Sequence, residues 1–145
     1  KNNNKFYNDL KKEKKIIKKV KNFQKKITLW KQKKKKFFNL FNKIKGPIPA
    51  KAFPGRASIL INLLKLNKNN ISKVYEKDIS LKVNKYVPGT DIRIVKETLF
   101  HKKDREKKMI INLAWHISNE IKLYLKQKMK YSGKVINIIS KNDFK

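Results

Sequence analysis

Residues 48–66, IPAKAFPGRASILINLLKL, join a short apolar segment to an apolar helical run across a Pro-Gly break. Residues 48–53 predict a strand, and residues 57–66 predict a helix because neither Gly nor Pro interrupts their apolar pattern. Pro54 and Gly55 separate the two elements, as turn residues do. A strand that passes into a helix within a few residues is the first half of a β-α-β unit, so we expect a parallel sheet with right-handed crossovers.

The rest of the chain repeats this alternation of strands and helices. A second helix is predicted over residues 118–130, with Ser118 as its N-cap. The further strands are predicted at residues 71–76, 92–95, 109–113 and 135–139. After the leading helix, this order is typical of an α/β fold in which helices cover both faces of a mainly parallel sheet, a three-layer sandwich.

Residues 5–45 contain no Gly or Pro and predict one long helix that ends at Gly46-Pro47. Its apolar residues follow heptad spacing along one stripe, which Asp9, Glu13 and Lys34 interrupt. The apolar members of this heptad stripe are Phe6, Ile16, Val20, Phe23, Ile27, Trp30, Phe37, Phe41 and Ile44. We interpret the segment as a packing helix, although a basic amphipathic helix on an anionic membrane and a coiled-coil partner have the same pattern. The chain is therefore divided into a basic amphipathic connector helix, residues 1–45, and an α/β domain, residues 46–145.

Charge dominates the composition of the 145 residues, with 40 Lys and Arg against 10 Asp and Glu and a net charge of +30. Only three of the basic residues are Arg, the side chain expected in a dedicated nucleic-acid reader, so the composition argues against specific nucleic-acid binding. Apolar residues make up 39% of the chain, enough for a packed core. The absence of cysteine excludes disulfides, thiolate zinc sites and cysteine nucleophiles.

Targeting signals are not evident in the sequence. It has no long apolar run and no signal-peptide pattern, so we expect no membrane span and a cytoplasmic location. The first residue is Lys rather than Met, and we expect the chain to be a piece of a longer protein.

Three separated segments are candidates for a ligand site, because ligands of parallel sheets bind at the carboxyl ends of the strands. In the turn after the first strand, Gly55 allows close backbone approach, helix N–H groups are free and Arg56 adds a cation, although an ordinary tight turn has the same sequence. The loop at residues 86–90, YVPGT, either lines a ligand or only reverses the chain. Trp115 and His116 follow a buried strand, where a pocket opens or a core aromatic packs. No Ser-His-Asp set, carboxylate pair or metal-ligand spacing is present in the sequence, so we predict neither catalytic nor metal-binding residues.

These segments occur together, and in the same order, in a known family. The sequences concerned are IPAKAFPGRASILIN (48–62), Lys82 with YVPGTDIRI (86–94), and NLAWH (112–116) with Glu120-Ile121. They resemble the C-terminal domain of the S-adenosylmethionine (SAM)-dependent C-methyltransferases that act on nucleotide-linked deoxysugars. The resemblance covers about residues 46–140, and the leading helix is similar to the connector before that domain. Ala52, Phe53 and His116 stand where the family usually has Gly, Ala and Asn.

The resemblance implies a small Rossmann-like domain that binds a nucleotide-diphosphate sugar and positions it for methyl transfer. An upstream domain, outside this chain, would bind SAM and carry the catalytic base, so the chain itself would bind no cofactor and would be one part of the parent enzyme. The implied contacts are Pro54, Gly55, Arg56, Ala57 and Ser58 to the diphosphate, Lys82, Tyr86, Pro88, Gly89 and Thr90 to the nucleotide or sugar, and Trp115 and His116 closing the pocket. We expect all three segments to converge on one pyrophosphate.

Two other classes of function stay open. A basic polyanion-binding or nucleic-acid-binding protein would show steeply salt-dependent affinity with no preference for a nucleotide-linked sugar. A non-catalytic remnant or interaction module would fold and bind no small ligand.

Overall fold

The computed structural model describes residues 2–144, and the side chains of residues 7, 9–101 and 104–144. The helices and strands follow one another as α1 (Asn2–Lys45), β1 (Ile48–Lys51), α2 (Ala57–Leu63), β2 (Ile71–Glu76), β3 (Ile94–Lys96), α3 (Lys102–Arg105), β4 (Met109–Asn112), α4 (Ser118–Gln127) and β5 (Lys134–Asn137). Single 3-10 turns occupy Glu97–Leu99, Trp115–Ile117 and Lys141–Phe144.

The five strands form one sheet in the order β3-β2-β1-β4-β5, and every neighbouring pair is parallel. The predicted α/β fold is therefore confirmed. Strand β1 lies in the middle, with β2 on one side and β4 on the other, so chain order reverses between β1 and β4. We call the edge at which the strands end the carboxyl edge, and the opposite edge the amino edge.

Two apolar clusters cover the two faces of the sheet. On one face Ala50, Val74 and Ile111 lie in a core that includes α2 and part of α1. On the other face Tyr75 and Ile110 pack with side chains from α4 and from the segment before β4. The three-layer arrangement follows from these clusters, because successive residues of a strand point to opposite faces and both faces are apolar.

The heptad stripe of α1 is buried over only part of its length, and Ile44, near the end of the helix, is 72% exposed. Trp30 is buried in the core of the first face, and Phe37 and Phe41 pack against that core. Ile16 and Val20, two turns and more toward the amino terminus, are 59% and 49% exposed. The side chain of Phe6 lies outside the described residues. Phe38 is also buried although it lies outside the predicted stripe. The face of α1 that packs on the domain is therefore wider than the heptad stripe.

The start of α4 differs from the prediction. Ser118 is the first residue of the helix, Ile117 takes the capping position, and no side-chain cap bond forms there. The Ser118 hydroxyl instead donates to Asn137 Oδ1 at 3.0 Å, on the neighbouring strand β5. The predicted N-cap role of Ser118 is therefore wrong, because a tertiary partner takes the hydroxyl that a cap would use.

We predict that Ala52→Gly stabilises the protein. Ala52 follows β1 with φ of 63°, in the left-handed region where a Cβ costs about 1–2 kcal/mol. Glycine removes that strain, and part of the gain is offset by the greater chain entropy of the unfolded state, so the free energy of unfolding is expected to rise by about 1 kcal/mol in urea denaturation.

The matched control for this substitution is Gly46→Ala. Gly46 ends α1 with φ of 71°, and a Cβ built there meets nothing within 4 Å, so only the backbone conformation is altered. This variant is expected to lose about 1 kcal/mol. A loss of stability in Ala52→Gly would contradict the assignment of strain at Ala52.

Candidate functional site

The candidate site lies at the carboxyl edge where chain order reverses between β1 and β4. Open parallel sheets bind ligands at such a point because the connections from the two strands diverge and leave a crevice. The turn after β1 supplies Arg56, and the segment after β4 supplies Trp115 and His116. The Arg56 guanidinium carbon lies 5.6 Å from the centroid of the Trp115 ring, which is a cation–π distance. The structure therefore brings together two of the three segments singled out in the sequence.

A cavity of about 490 Å³ opens beside Trp115. Its lining comes from the segment after β4 and from the end of the chain: Trp115, His116, Asn137, Ile139, Ser140, Lys141 and Phe144. The rings of Trp115 and His116 meet edge to face, with centroids 5.9 Å apart. The cavity thus has aromatic walls with a few polar groups, which is the usual composition of a small-molecule site.

Three polar side chains form a network behind this cavity. The Asn112 amide nitrogen donates to Asn137 Oδ1 at 2.9 Å, and the Ser118 hydroxyl donates to the same oxygen at 3.0 Å. Asn112 Oδ1 also accepts from the backbone N–H of Ala114 at 2.9 Å. The network fixes Asn137 at the cavity wall and holds the backbone that leads into Trp115. Sequence reasoning missed these roles, although an Asn inside the apolar run at residues 109–113 was a usable signal.

The backbone amides of the β1–α2 turn are largely occupied by the protein itself. Phe53 N–H donates to Glu76 Oε2 at 2.7 Å. Ala57 N–H and Ser58 N–H donate to the carbonyls of Pro54 and Gly55 at 2.8 and 3.2 Å. These three amides are therefore not free to cradle a phosphate, because the turn uses them for its own closure. The Arg56 side chain, which is exposed, is the cationic group that the turn presents.

Phe53 and Lys82 fix the inner side of the same turn. The Phe53 ring is buried in the core, so it does not narrow the outer side of the turn. Lys82 Nζ donates to the Phe53 carbonyl at 2.8 Å and lies 5.8 Å from the centroid of the Phe53 ring. Lys82 therefore belongs to the carboxyl edge, where its ammonium group is already bonded to the backbone.

The loop at residues 86–90 is the end of an antiparallel ribbon that leads into β3. Val87 N–H donates to the Ile92 carbonyl at 2.9 Å, and Ile94 N–H donates to the Lys85 carbonyl at 2.8 Å. The chain thus runs antiparallel to the segment that leads into β3, turns at the tip and then enters the strand. Because all the strands are parallel, the tip lies beyond the start of β3, at the amino edge.

Contacts of the loop tip agree with this position. Asp91 Oδ1 accepts from the N–H of Lys68, in the turn that precedes β2, at 2.8 Å. Asn62, near the end of α2, donates to the Pro88 carbonyl at 2.9 Å, and a Cβ on Gly89 would lie 2.6 Å from Asn62 Oδ1. The expected convergence of three segments is therefore not found. The ligand roles of the loop residues stay predictions, and those residues are Tyr86, Pro88, Gly89 and Thr90.

A buried charged cluster lies at the end of β1 on the opposite face of the sheet. Lys51 Nζ lies 2.5 Å from Glu97 Oε2, and the Tyr124 hydroxyl donates to Glu97 Oε1 at 2.7 Å. Burial, and then the hydrogen bond to Glu97, raise the pKa of Tyr124 to about 12. The three side chains join β1, the turn after β3 and α4. A lysine within the buried strand was the sequence signal for this cluster, and sequence reasoning did not use it.

Two other tyrosines of the same face are held in the neutral form. Burial, and then a hydrogen bond to Asp104, raise the pKa of Tyr75 far above its usual value. Burial raises the pKa of Tyr131 to about 12. These groups anchor the segment before β4 and the connection after α4, and they lie away from the Arg56–Trp115 crevice.

The chemistry available at the carboxyl edge is that of binding. Arg56 offers a fork of donors for an anion, and Trp115 and His116 offer flat surfaces for a ring. Within the described part of the chain, no three His, Asp or Glu side chains lie close enough together to hold a metal ion. None of the helices in residues 2–144 combines the length and the hydropathy needed to cross a membrane.

Comparison with known protein families gives a match over most of the chain. A family model described as the C-methyltransferase C-terminal domain matches residues 6–139, which includes α1 from its first turns as well as all five strands. No curated protein matches the chain.

We predict that Tyr124 and Tyr131 ionise near pH 12 rather than near 10. The folded protein favours the neutral form of both phenols. The stability that this preference contributes is constant below pH 10, where the phenols are neutral in the folded and the unfolded chain, and it is lost as the pH rises from 10 to about 12. Absorbance at 295 nm should show a late phenolate step that Tyr124→Phe reduces. A single ionisation of all tyrosines near pH 10 would contradict the burial of these two groups.

We predict that Lys51→Met destabilises the protein by about 3 kcal/mol, because it leaves Glu97 half-buried without its cation. Lys68→Met is the control: Lys68 pairs with Asp91 at 3.8 Å with both side chains well exposed, and its loss should cost below about 0.5 kcal/mol. Urea denaturation compares the two variants. Equal effects would show that the Lys51–Glu97 pair does not stabilise the fold.

Proposed function

The chain belongs to the C-methyltransferase C-terminal domain family, and from that premise we propose that it binds the nucleotide-linked deoxysugar substrate of a SAM-dependent C-methyltransferase. In this proposal the carboxyl-edge crevice holds the substrate, while proton removal and methyl transfer take place on a separate upstream domain. The Arg56–Trp115 pair across the strand-order reversal is the observation that carries the proposal.

Arg56 is proposed to contact the diphosphate. A guanidinium group can give two parallel hydrogen bonds to a phosphate, which a lysine ammonium cannot do. Its position over the Trp115 ring limits the directions in which the group can point. Because amides of the turn are already bonded within the protein, the side chain and not the backbone would supply most of the attraction.

Trp115 and His116 are proposed to close a pocket on the ring systems of the ligand. Both line the cavity of about 490 Å³, in which an aromatic base or a sugar ring has room. Asn137 lines the same cavity, held by Asn112 and Ser118, and an amide at this place could select ligands by hydrogen bonding. The contribution of this chain to the reaction would be the orientation of one reactant.

The carboxyl edge has little of the usual site for an adenosyl group. Parallel sheets that bind an adenosine ribose usually have a carboxylate near the end of the second strand and a glycine-rich first turn. Here Glu76, at the end of β2, accepts from Phe53 N–H at 2.7 Å and from Lys77 N–H at 3.0 Å, and the first turn has one glycine. We therefore propose SAM as a cofactor of the upstream domain and assign no step on this chain to it.

Titration of the full chain with dTDP-6-deoxyglucose, a nucleotide-linked deoxysugar, followed by Trp fluorescence and calorimetry, tests the proposal. We expect saturable binding that Arg56→Ala weakens about tenfold, the size of a lost charged hydrogen bond. Arg93→Ala is the matched control, because Arg93 is an exposed arginine that leads into β3 from the amino edge and its loss changes the net charge equally.

The same titration separates this function from binding by charge alone. The net charge of +30 favours attraction of any polyanion at low salt. In that case Arg56→Ala and Arg93→Ala would weaken binding equally, affinity would fall steeply with salt, and single-stranded DNA would compete fully. That outcome, or the absence of saturable binding, would overturn the proposed function.

A further inference from the structure

Lys34 interrupts the heptad stripe of α1, and the structure gives it a partner. Its ammonium group lies 3.2 Å from Asp143 Oδ2, and the two side chains are only 15% and 20% exposed. A charged residue within an otherwise apolar seam fixes the register of the two packed surfaces, because any shift leaves the charge buried without a partner. Here the second surface is the 3-10 turn Lys141–Phe144, which we call the C-terminal turn.

Further contacts seat the C-terminal turn on α1. The Phe144 ring packs against Trp30 and Phe23, with centroid distances of 6.0 and 6.4 Å. Lys26 Nζ donates to the Phe144 carbonyl at 2.9 Å. Asp143 also accepts from the N–H of Ser140 at 2.8 Å, which shapes the turn itself.

The same turn forms one wall of the carboxyl-edge cavity. Lys141 and Phe144 of the turn, together with Ser140 just before it, line the same cavity as Trp115 and His116. Phe144 thus contacts α1 with its ring and contributes to the cavity as well. The width of the cavity depends on where α1 holds the C-terminal turn.

We propose that Lys34 is a positioning residue for the ligand site, acting through Asp143 and Phe144 without touching the ligand. The Lys34–Asp143 pair holds the C-terminal turn in register on α1, and the turn sets the distance between Phe144 and Trp115. This role rests on the proposed function, because it gives the cavity a ligand. It also makes α1 part of the site rather than only a connector.

The seating of the turn is tested without a ligand. In the 145-residue chain carrying Trp115→Phe, Trp30 is the single tryptophan and reports on Phe144 beside it. Lys34→Met and Asp143→Asn should each shift Trp30 emission to the red and increase its quenching by acrylamide. Lys34→Arg, which keeps the ion pair, should match the parent. Unchanged emission in all variants, at unchanged far-UV circular dichroism, would overturn the positioning role.

The effect on the site is tested with dTDP-6-deoxyglucose in the chain that retains Trp115. Lys34→Met and Asp143→Asn should both raise Kd about fivefold, the lower end of measured couplings between separate groups. Charge alone would move the two in opposite directions, because one removes a positive charge and the other a negative charge. Lys33→Met, on the exposed side of α1, is the control and should leave Kd within the error of Lys34→Arg.

The two failures are distinguishable. A parent chain that binds no dTDP-6-deoxyglucose overturns the proposed function, and with it the role of Lys34 toward a ligand, whatever Trp30 reports. Normal binding by the parent, together with opposite shifts of Kd in Lys34→Met and Asp143→Asn, overturns the positioning role and leaves the proposed function intact.

Discussion

The structure depends on the central position of β1, which is hydrogen-bonded to parallel strands on both sides. All four of its residues, Ile48–Lys51, are buried. Because β1 has neighbours on both sides and both of its faces are covered, the connections can leave it only at its two ends. The connection to β2 leads to one side of β1, and the chain later crosses to the other side to form β4. The crevice at the carboxyl edge is a geometric consequence of that reversal, and Arg56 and Trp115 lie beside each other because each follows one of the two strands that border it.

The few carboxylates of this basic chain are placed where they can pair with lysines of other elements. Among the side chains that the structure describes, Lys34–Asp143, Lys51–Glu97 and Lys73–Asp104 are ion pairs with partly buried members. Each of these joins elements that are distant in sequence. The lysines without such a pair lie mostly at the surface, where water screens their repulsion. These three acidic residues thus hold elements of the fold together through ion pairs.

Local patterns in the sequence predicted the elements well and their assembly less well. The strand at residues 71–76 has the predicted bounds, and the break at Gly46-Pro47 ends α1 as expected. The loop at residues 86–90 was placed at the wrong edge, because it is the tip of a local hairpin in which residues 85–87 pair with residues 92–94, and this hairpin brings the chain to the amino edge before β3 begins. The role of Lys34 was hidden for a different reason, since its partner lies more than a hundred residues away. In the β1–α2 turn, the Phe53 N–H is bonded to the Glu76 carboxylate, and no spacing rule in the sequence connects these two residues.

Specificity at the carboxyl edge has to come from geometry rather than charge. With 37 lysines, any part of the surface attracts anions, so a positive potential alone would not distinguish this crevice from the rest of the molecule. Arginine is rare, and one of only three lies at the strand-order reversal, where its planar group is held over an aromatic ring. The opposite wall is set by the C-terminal turn on α1, so the shape of the cavity is determined by both ends of the chain. A ligand that is recognised there must match the separation between Arg56 and that wall, which lysines spread over the surface cannot imitate.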